Sequence, residues 1–98
     1  MTALPDALRL LADPLRARIV TLLATEQLCT CHLVELTGAG QSNISNHLRL
    51  LRRAGVVSSE PCGRYTYYCL EPGVLQQLAG QLDALAVAAG DAPRRPCP

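Results

Sequence analysis

The apolar pattern of this 98-residue chain changes period twice, and few folds accommodate that order in one small core. Up to about Ala54 the apolar residues recur at helical spacing. Then VVSSE (56–60) and YTYYCL (65–70) are β-branched and aromatic-rich with period two, and PCGR between them reads as a hairpin turn. From Pro72 the helical period returns.

The helical part divides at its punctuation. Leu4, Leu8 and Leu11 share one face of a first short helix. Asp13-Pro14 reads as N-cap and first helical residue of a second, whose stripe of Leu15, Ile19, Leu22 and Leu23 runs to about Ala24. Thr30 is the expected N-cap of a third helix that ends at Thr37 with Gly38 beyond it. After a tight GAG turn a fourth helix spans about Gln41 to Ala54, burying Ile44, Leu48 and Leu51, with Gly55 as left-handed cap and Val56 as its hydrophobic contact. A last helix runs from about Pro72 to Ala89. The order is helix, helix, helix–turn–helix, β-hairpin, helix: a mainly α winged helix-turn-helix domain over residues 1–90. Residues 91–98, DAPRRPCP, are expected to be a disordered Pro-rich tail.

Composition excludes several classes. No apolar run approaches the roughly 18–20 residues of a membrane span, and MTALPDALRL lacks the pattern of a signal peptide, so a cytoplasmic protein is expected. Five cysteines cannot all pair within one chain, and reduced thiols suit that compartment. A Gly-rich phosphate loop, paired catalytic carboxylates and an acid-oriented histidine are all missing, so no enzyme and no organic cofactor are expected. The net charge of +1 is uninformative, but Gln41–Leu70 holds four arginines against one acid, Glu60.

That local excess coincides with a polar helix face. The fourth helix carries Gln41, Ser42, Asn43, Ser45, Asn46 and Arg49 outward, with His47 near the border of its buried face. Amides, hydroxyls and a guanidinium are the groups that read base edges and grip phosphates, whereas an ordinary solvated face favours Glu and Lys. Arg64, beside Gly63 at the hairpin tip, suits a wing touching the DNA backbone or minor groove. The leucines of the last helix, 75, 78, 82 and 85, make a narrow seam for another helix, expected to be that of a second copy with Leu4 and Leu8 contributing.

Cys29 and Cys31, in LCTCHLVEL, are too close to bridge each other easily. They are two small buried residues, a reactive pair, or half of a site for something thiophilic. In extended backbone the side chains at i and i+2 point the same way and can pinch one ion; in a regular helix they diverge by roughly 200°. Soft centres such as As(III), Sb(III), Cd²⁺ and Pb²⁺ prefer thiolates.

Four segments in order, LADPLRARIVTLL, LCTCHLVELTG, QSNISNHLRLLRRAGVV and GRYTYYCL, resemble the ArsR/SmtB metalloregulatory repressors over about residues 8–85. The resemblance implies a winged-helix homodimer with flanking dimerisation helices. Such a protein binds double-stranded operator DNA before a resistance operon and leaves it when a toxic metal or metalloid binds. Cys-x-Cys at the third helix resembles the arsenite/antimonite-responsive branch and also cadmium and lead sensors, which makes Cys29 and Cys31 inducer ligands. Arsenite or antimonite is the expected inducer, with Cd²⁺ or Pb²⁺ the alternative and a thiol-redox switch a further one. The arsenite pattern often has a third cysteine where Val34 stands here. The last helix has Asp83 but no histidine for the family's other common site. In a winged helix the segment before the third helix usually pairs with the second hairpin strand. Strand parity then turns Cys69 outward with Cys29 and makes it the expected third ligand, ahead of Cys62 and Cys97. His32 is a further candidate donor.

Overall fold

The computed structural model describes residues 6–98, and Leu4 lies outside them. The elements are α1 (Asp6–Leu11), α2 (Pro14–Leu23), β1 (Leu28–Cys29), α3 (Thr30–Thr37), α4 (Gln41–Arg53), β2 (Val57–Cys62), β3 (Tyr65–Leu70) and α5 (Pro72–Gly90). This is the winged helix-turn-helix order expected from the sequence.

Most helix ends follow from local chemistry. The Asp13 carboxylate accepts from the backbone N–H groups of Leu15 and Arg16, each at 3.0 Å, and Pro14 occupies the first turn, where its missing donor costs nothing. Helix α3 stops at Gly38, whose φ of 76° admits the left-handed turn. Thr37 Oγ1 donates to Leu33 O and accepts from Ala39 N–H, closing the short link to α4. At the end of α4, Gly55 N–H bonds to Arg52 O at 3.0 Å and Val56 N–H to Leu51 O at 2.9 Å. Those two bonds form a Schellman motif, and Val56 is fully buried beside it.

Two boundaries differ from expectation. The N-cap of α3 is Cys29, not Thr30, because pairing with β3 keeps the backbone extended through Cys29 (φ −88°, ψ 170°). The hairpin turn is shorter than PCGR. Cys62 pairs with Tyr65, leaving a two-residue loop of Gly63 and Arg64, and only Gly63 has a positive φ, as a type II′ turn requires. Pro61 fits inside β2 because β2 is an edge of the sheet order β1-β3-β2, where a missing ladder donor is tolerated.

The three strands are antiparallel, with Leu28 opposite Tyr68, Cys29 opposite Tyr67 and Ser58 opposite Cys69. One sheet face carries Leu28, Val57, Tyr68 and Leu70 onto a core of Ile19, Leu23, Leu33, Ile44, Leu48, Leu51 and Val56. At about 25 cal/mol per Å² of apolar area, such fully buried branched side chains each contribute roughly 1.5–3 kcal/mol. Helix α5 joins this core through Val74, meets α1, and buries Leu78. Beyond it every residue from 79 to 90 is exposed, and the molecule reaches 63 Å in its long dimension against 23 and 21 Å across. No helix among the described residues is long and apolar enough to cross a membrane. Residues 92–98 carry neither helix nor strand.

Candidate nucleic-acid interface and thiol site

Helix α4 owes its two faces to its sequence. Ile44, Leu48 and Leu51 pin one side into the core, which leaves Gln41, Ser42, Asn43, Asn46 and Arg49 exposed and Ser45 half-buried on the other. Arg49 Nη1 donates to Asn46 Oδ1 at 2.9 Å across one turn. That contact uses one of the two lone pairs of the Asn46 amide oxygen and none of its amide donors. Arg64 is exposed at the tip of the β2–β3 hairpin.

His47 is not an outward member of that face. It is half-buried, and its Nδ1 lies 3.0 Å from Arg16 Nη1 in α2. A guanidinium can only donate, so Nδ1 is the acceptor in this contact. Arg16 also donates through Nε to Leu10 O at 2.8 Å. One side chain therefore links the end of α1 to the middle of α4. Arg18 of α2 donates to Leu36 O at 2.9 Å, satisfying a carbonyl in the last turn of α3. Sequence reading passed over both arginines. Both follow the Asp13 cap on α2, but nothing local announces partners 31 and 18 residues away.

The Asp13 carboxyl is held below the ordinary carboxylate range. The Arg16 backbone N–H donating to it is the first cause, and the positive charge of Arg16 and the Leu15 N–H add to it.

The thiols divide by position. Cys29 is 5% exposed at the β1–α3 junction, whereas Cys31 is exposed in the first turn of α3. The pair therefore straddles an extended residue and a helical one. His32 Nδ1 accepts from Cys29 N–H at 3.1 Å and lies 3.2 Å from Cys29 Sγ. Its ring sits 6.0 Å from that of Tyr67, tilted by 57°. Beside it opens a recess of about 430 Å³ whose lining includes Glu26, Glu35, His32 and Tyr67.

Cys69 is half-buried on β3, two residues beyond the partner of Cys29 and on the same sheet face by parity. Its sulfur lies 3.7 Å from Gln27 Nε2. Cys62 and Cys97 are exposed. Among the described residues no three His, Cys, Asp or Glu side chains converge closely enough to hold an ion, so Cys29, Cys31 and Cys69 are not gathered into one cluster.

On the seam of α5, Leu78 is buried within the single chain and Leu75 is half-buried, as is Leu8 on α1. Leu82 and Leu85 are 42% and 52% exposed.

This arrangement has close counterparts. Residues 13–59 match the family model described as bacterial regulatory protein, arsR family. The chain is 40% identical over 85 residues to the arsenic resistance transcriptional regulator ArsR1 of Pseudomonas putida, covering 82% of this chain and 66% of that protein. It is 39% identical over 92 residues to the HTH-type transcriptional repressor SmtB of Mycobacterium tuberculosis, covering 94% of this chain and 67% of that one. The match thus spans about two thirds of the length of either relative. A crystal structure of a possible transcriptional regulator for arsenical resistance superposes with a TM-score of 0.75 at 36% identity, over 92% of this chain and 99% of that one. With the motifs, the fold and these relatives in agreement, the chain belongs to the arsR family of bacterial regulatory proteins.

Proposed function

We propose that the chain is a homodimeric repressor that leaves its operator when a thiophilic ion binds Cys29 and Cys31. The observation that carries this reading is the position of the two thiols at the β1–α3 junction, one in extended backbone and one in the first helical turn. An ion drawing both sulfurs together must unwind or rotate the start of α3. Because α3 packs against α4, that motion shifts the base-reading face. Repression and induction then need only that the ion binds the DNA-free form better, since such coupling is reciprocal.

For arsenite or antimonite, which favour three thiolates, Cys69 is the third donor in this reading. It lies on the same sheet face as Cys29 and must give up its contact with Gln27. The arsenic resistance regulator of P. putida supports this inducer class. One observation favours Cd²⁺ or Pb²⁺ instead. Cys29 Sγ and His32 Nδ1 lie 3.2 Å apart, so an imidazole nitrogen, a donor that suits a soft cation, stands beside the first thiol once it leaves the Cys29 N–H. Glu26 and Glu35 in the adjoining recess also favour a cation over neutral arsenite.

Fluorescence anisotropy of the reduced protein on labelled DNA from upstream of its gene tests the reading. Arsenite is expected to release the wild type and Cys69→Ser to lose at least tenfold in arsenite sensitivity, while His32→Ala changes little. The reverse ranking, with release by Cd²⁺, transfers the site to the cation reading. Release of the Cys29→Ser/Cys31→Ser variant at wild-type concentrations would sink both.

A further inference from the structure

Three arginines outside the base-reading set gather at one end of α4. Arg9 in the last turn of α1, Arg16 in the first turn of α2 and Arg53 at the end of α4 line one open recess of about 460 Å³, with Leu10, Leu50 and Ala54. No acidic side chain is among the described residues that line it. Arg9 and Arg53 are exposed, and their aliphatic stems can lie over Leu10 and Leu50 while the guanidinium groups reach water.

Arg16 is fixed in place. Of its five N–H donors, one goes to Leu10 O and one to His47 Nδ1, which leaves three for an outside acceptor. A guanidinium already held by the protein loses little further freedom when it takes a phosphate oxygen.

The recess continues the surface that reads bases. Arg53 stands seven residues after Asn46 and four after Arg49, on the same exposed stripe of α4. A recognition helix that offers its N-terminal residues to base edges brings its C-terminal end against the sugar–phosphate wall of the groove.

We propose that Arg9, Arg16 and Arg53 form a clamp for backbone phosphates of the operator, at the edge of the base pairs that α4 reads. The inference rests on the operator-binding reading and adds to it a contact surface that carries register and affinity but no sequence preference. A bare acidic peptide would satisfy the charge equally. Continuity with the exposed stripe of α4 selects DNA.

The test is the dependence of duplex affinity on salt for the full chain, the Arg9→Gln/Arg53→Gln variant and the Arg94→Gln/Arg95→Gln variant. The last pair removes the same charge from the exposed segment without helix or strand. Each lost phosphate contact lowers the slope of log K against log salt by about 0.9, so a dimer without four such arginines is expected to lose roughly 3–4 from its slope. Operator and scrambled duplex are expected to weaken by the same factor, and the tail variant to keep the wild-type slope. An unchanged slope in the recess variant overturns the clamp while wild-type binding leaves the operator reading intact. So does an equal fall in the tail variant, or a loss confined to the operator. Absence of salt-sensitive duplex binding by the wild type would overturn the clamp and the operator reading together.

Discussion

The block formed by α2, α3, α4 and the sheet differs sharply from the outer two thirds of α5. In the first, Ile19, Leu33, Ile44, Leu51 and Val56 have no exposed surface, and side chains such as Arg16 and Arg18 tie helix to helix. In the second, the chain is as apolar as a core helix, yet residues 79–90 are all exposed. A helix of 19 residues is about 28 Å long, and only its first turns have anything to lie on. The block closes on itself; the helix has an open side that the single chain cannot cover. Apolar residues in water on one stripe call for a partner, and a second α5 is the occupant our homodimer reading supplies.

The contrast can be broken most strongly from inside the block. Replacing Ile19 by Ala is expected to cost about 2–5 kcal/mol, read as a lower urea midpoint at every protein concentration, because the site is fully packed. That is a large part of the roughly 5–15 kcal/mol available to a small domain. An unfolding free energy within ~0.5 kcal/mol of wild type would mean that the block is not a self-sufficient unit.

The open side responds differently. Leu82→Glu with Leu85→Glu puts charge on a stripe that is already wet in one chain, so the far-ultraviolet helix signal at high dilution is expected to change little. Sedimentation is instead expected to report a monomer, with operator affinity falling at least tenfold as the second half-site contact is lost. A variant that remains dimeric would place the interface elsewhere.

The smallest effect sharpens the border, where α1 reaches both α2 and α5. The Asp13 carboxyl titrates lower in the folded chain than in the unfolded one. Its contribution is therefore complete above the ordinary carboxylate pKa and is lost as pH falls through the lower folded value. Asp13→Ala is expected to lower the thermal midpoint at pH 7 and to flatten the acid limb of stability against pH. A limb of unchanged steepness would assign acid sensitivity to other carboxylates.

Those responses follow how much of each region was legible in the residues. Where structure is made by neighbours in sequence, the sequence by itself determined it. Asp13-Pro14 starts α2, Gly38 ends α3, Gly55 and Val56 end α4, and the return from period two to helical period marks the wing and α5. Each depends on a dihedral preference or a hydrogen bond within a few residues. The candidate polar face of α4 was legible for the same reason, since helical period alone turns Asn46 and Arg49 away from Leu48.

Tertiary structure decided what depends on distant partners. Extension through Cys29 comes from pairing with Tyr67, which moved the cap of α3 by one residue. His47 lies at the border of the polar face as expected, but its partner there, Arg16, comes from far back in the chain. Leu78 is buried within the single chain and Leu82 lies open, although both sit on one seam, because the rest of the chain reaches only the first third of α5. Periodicity states that a stripe is apolar. Only the packed chain states which part of the stripe it can cover itself, because burial depends on atoms that arrive from elsewhere in the sequence.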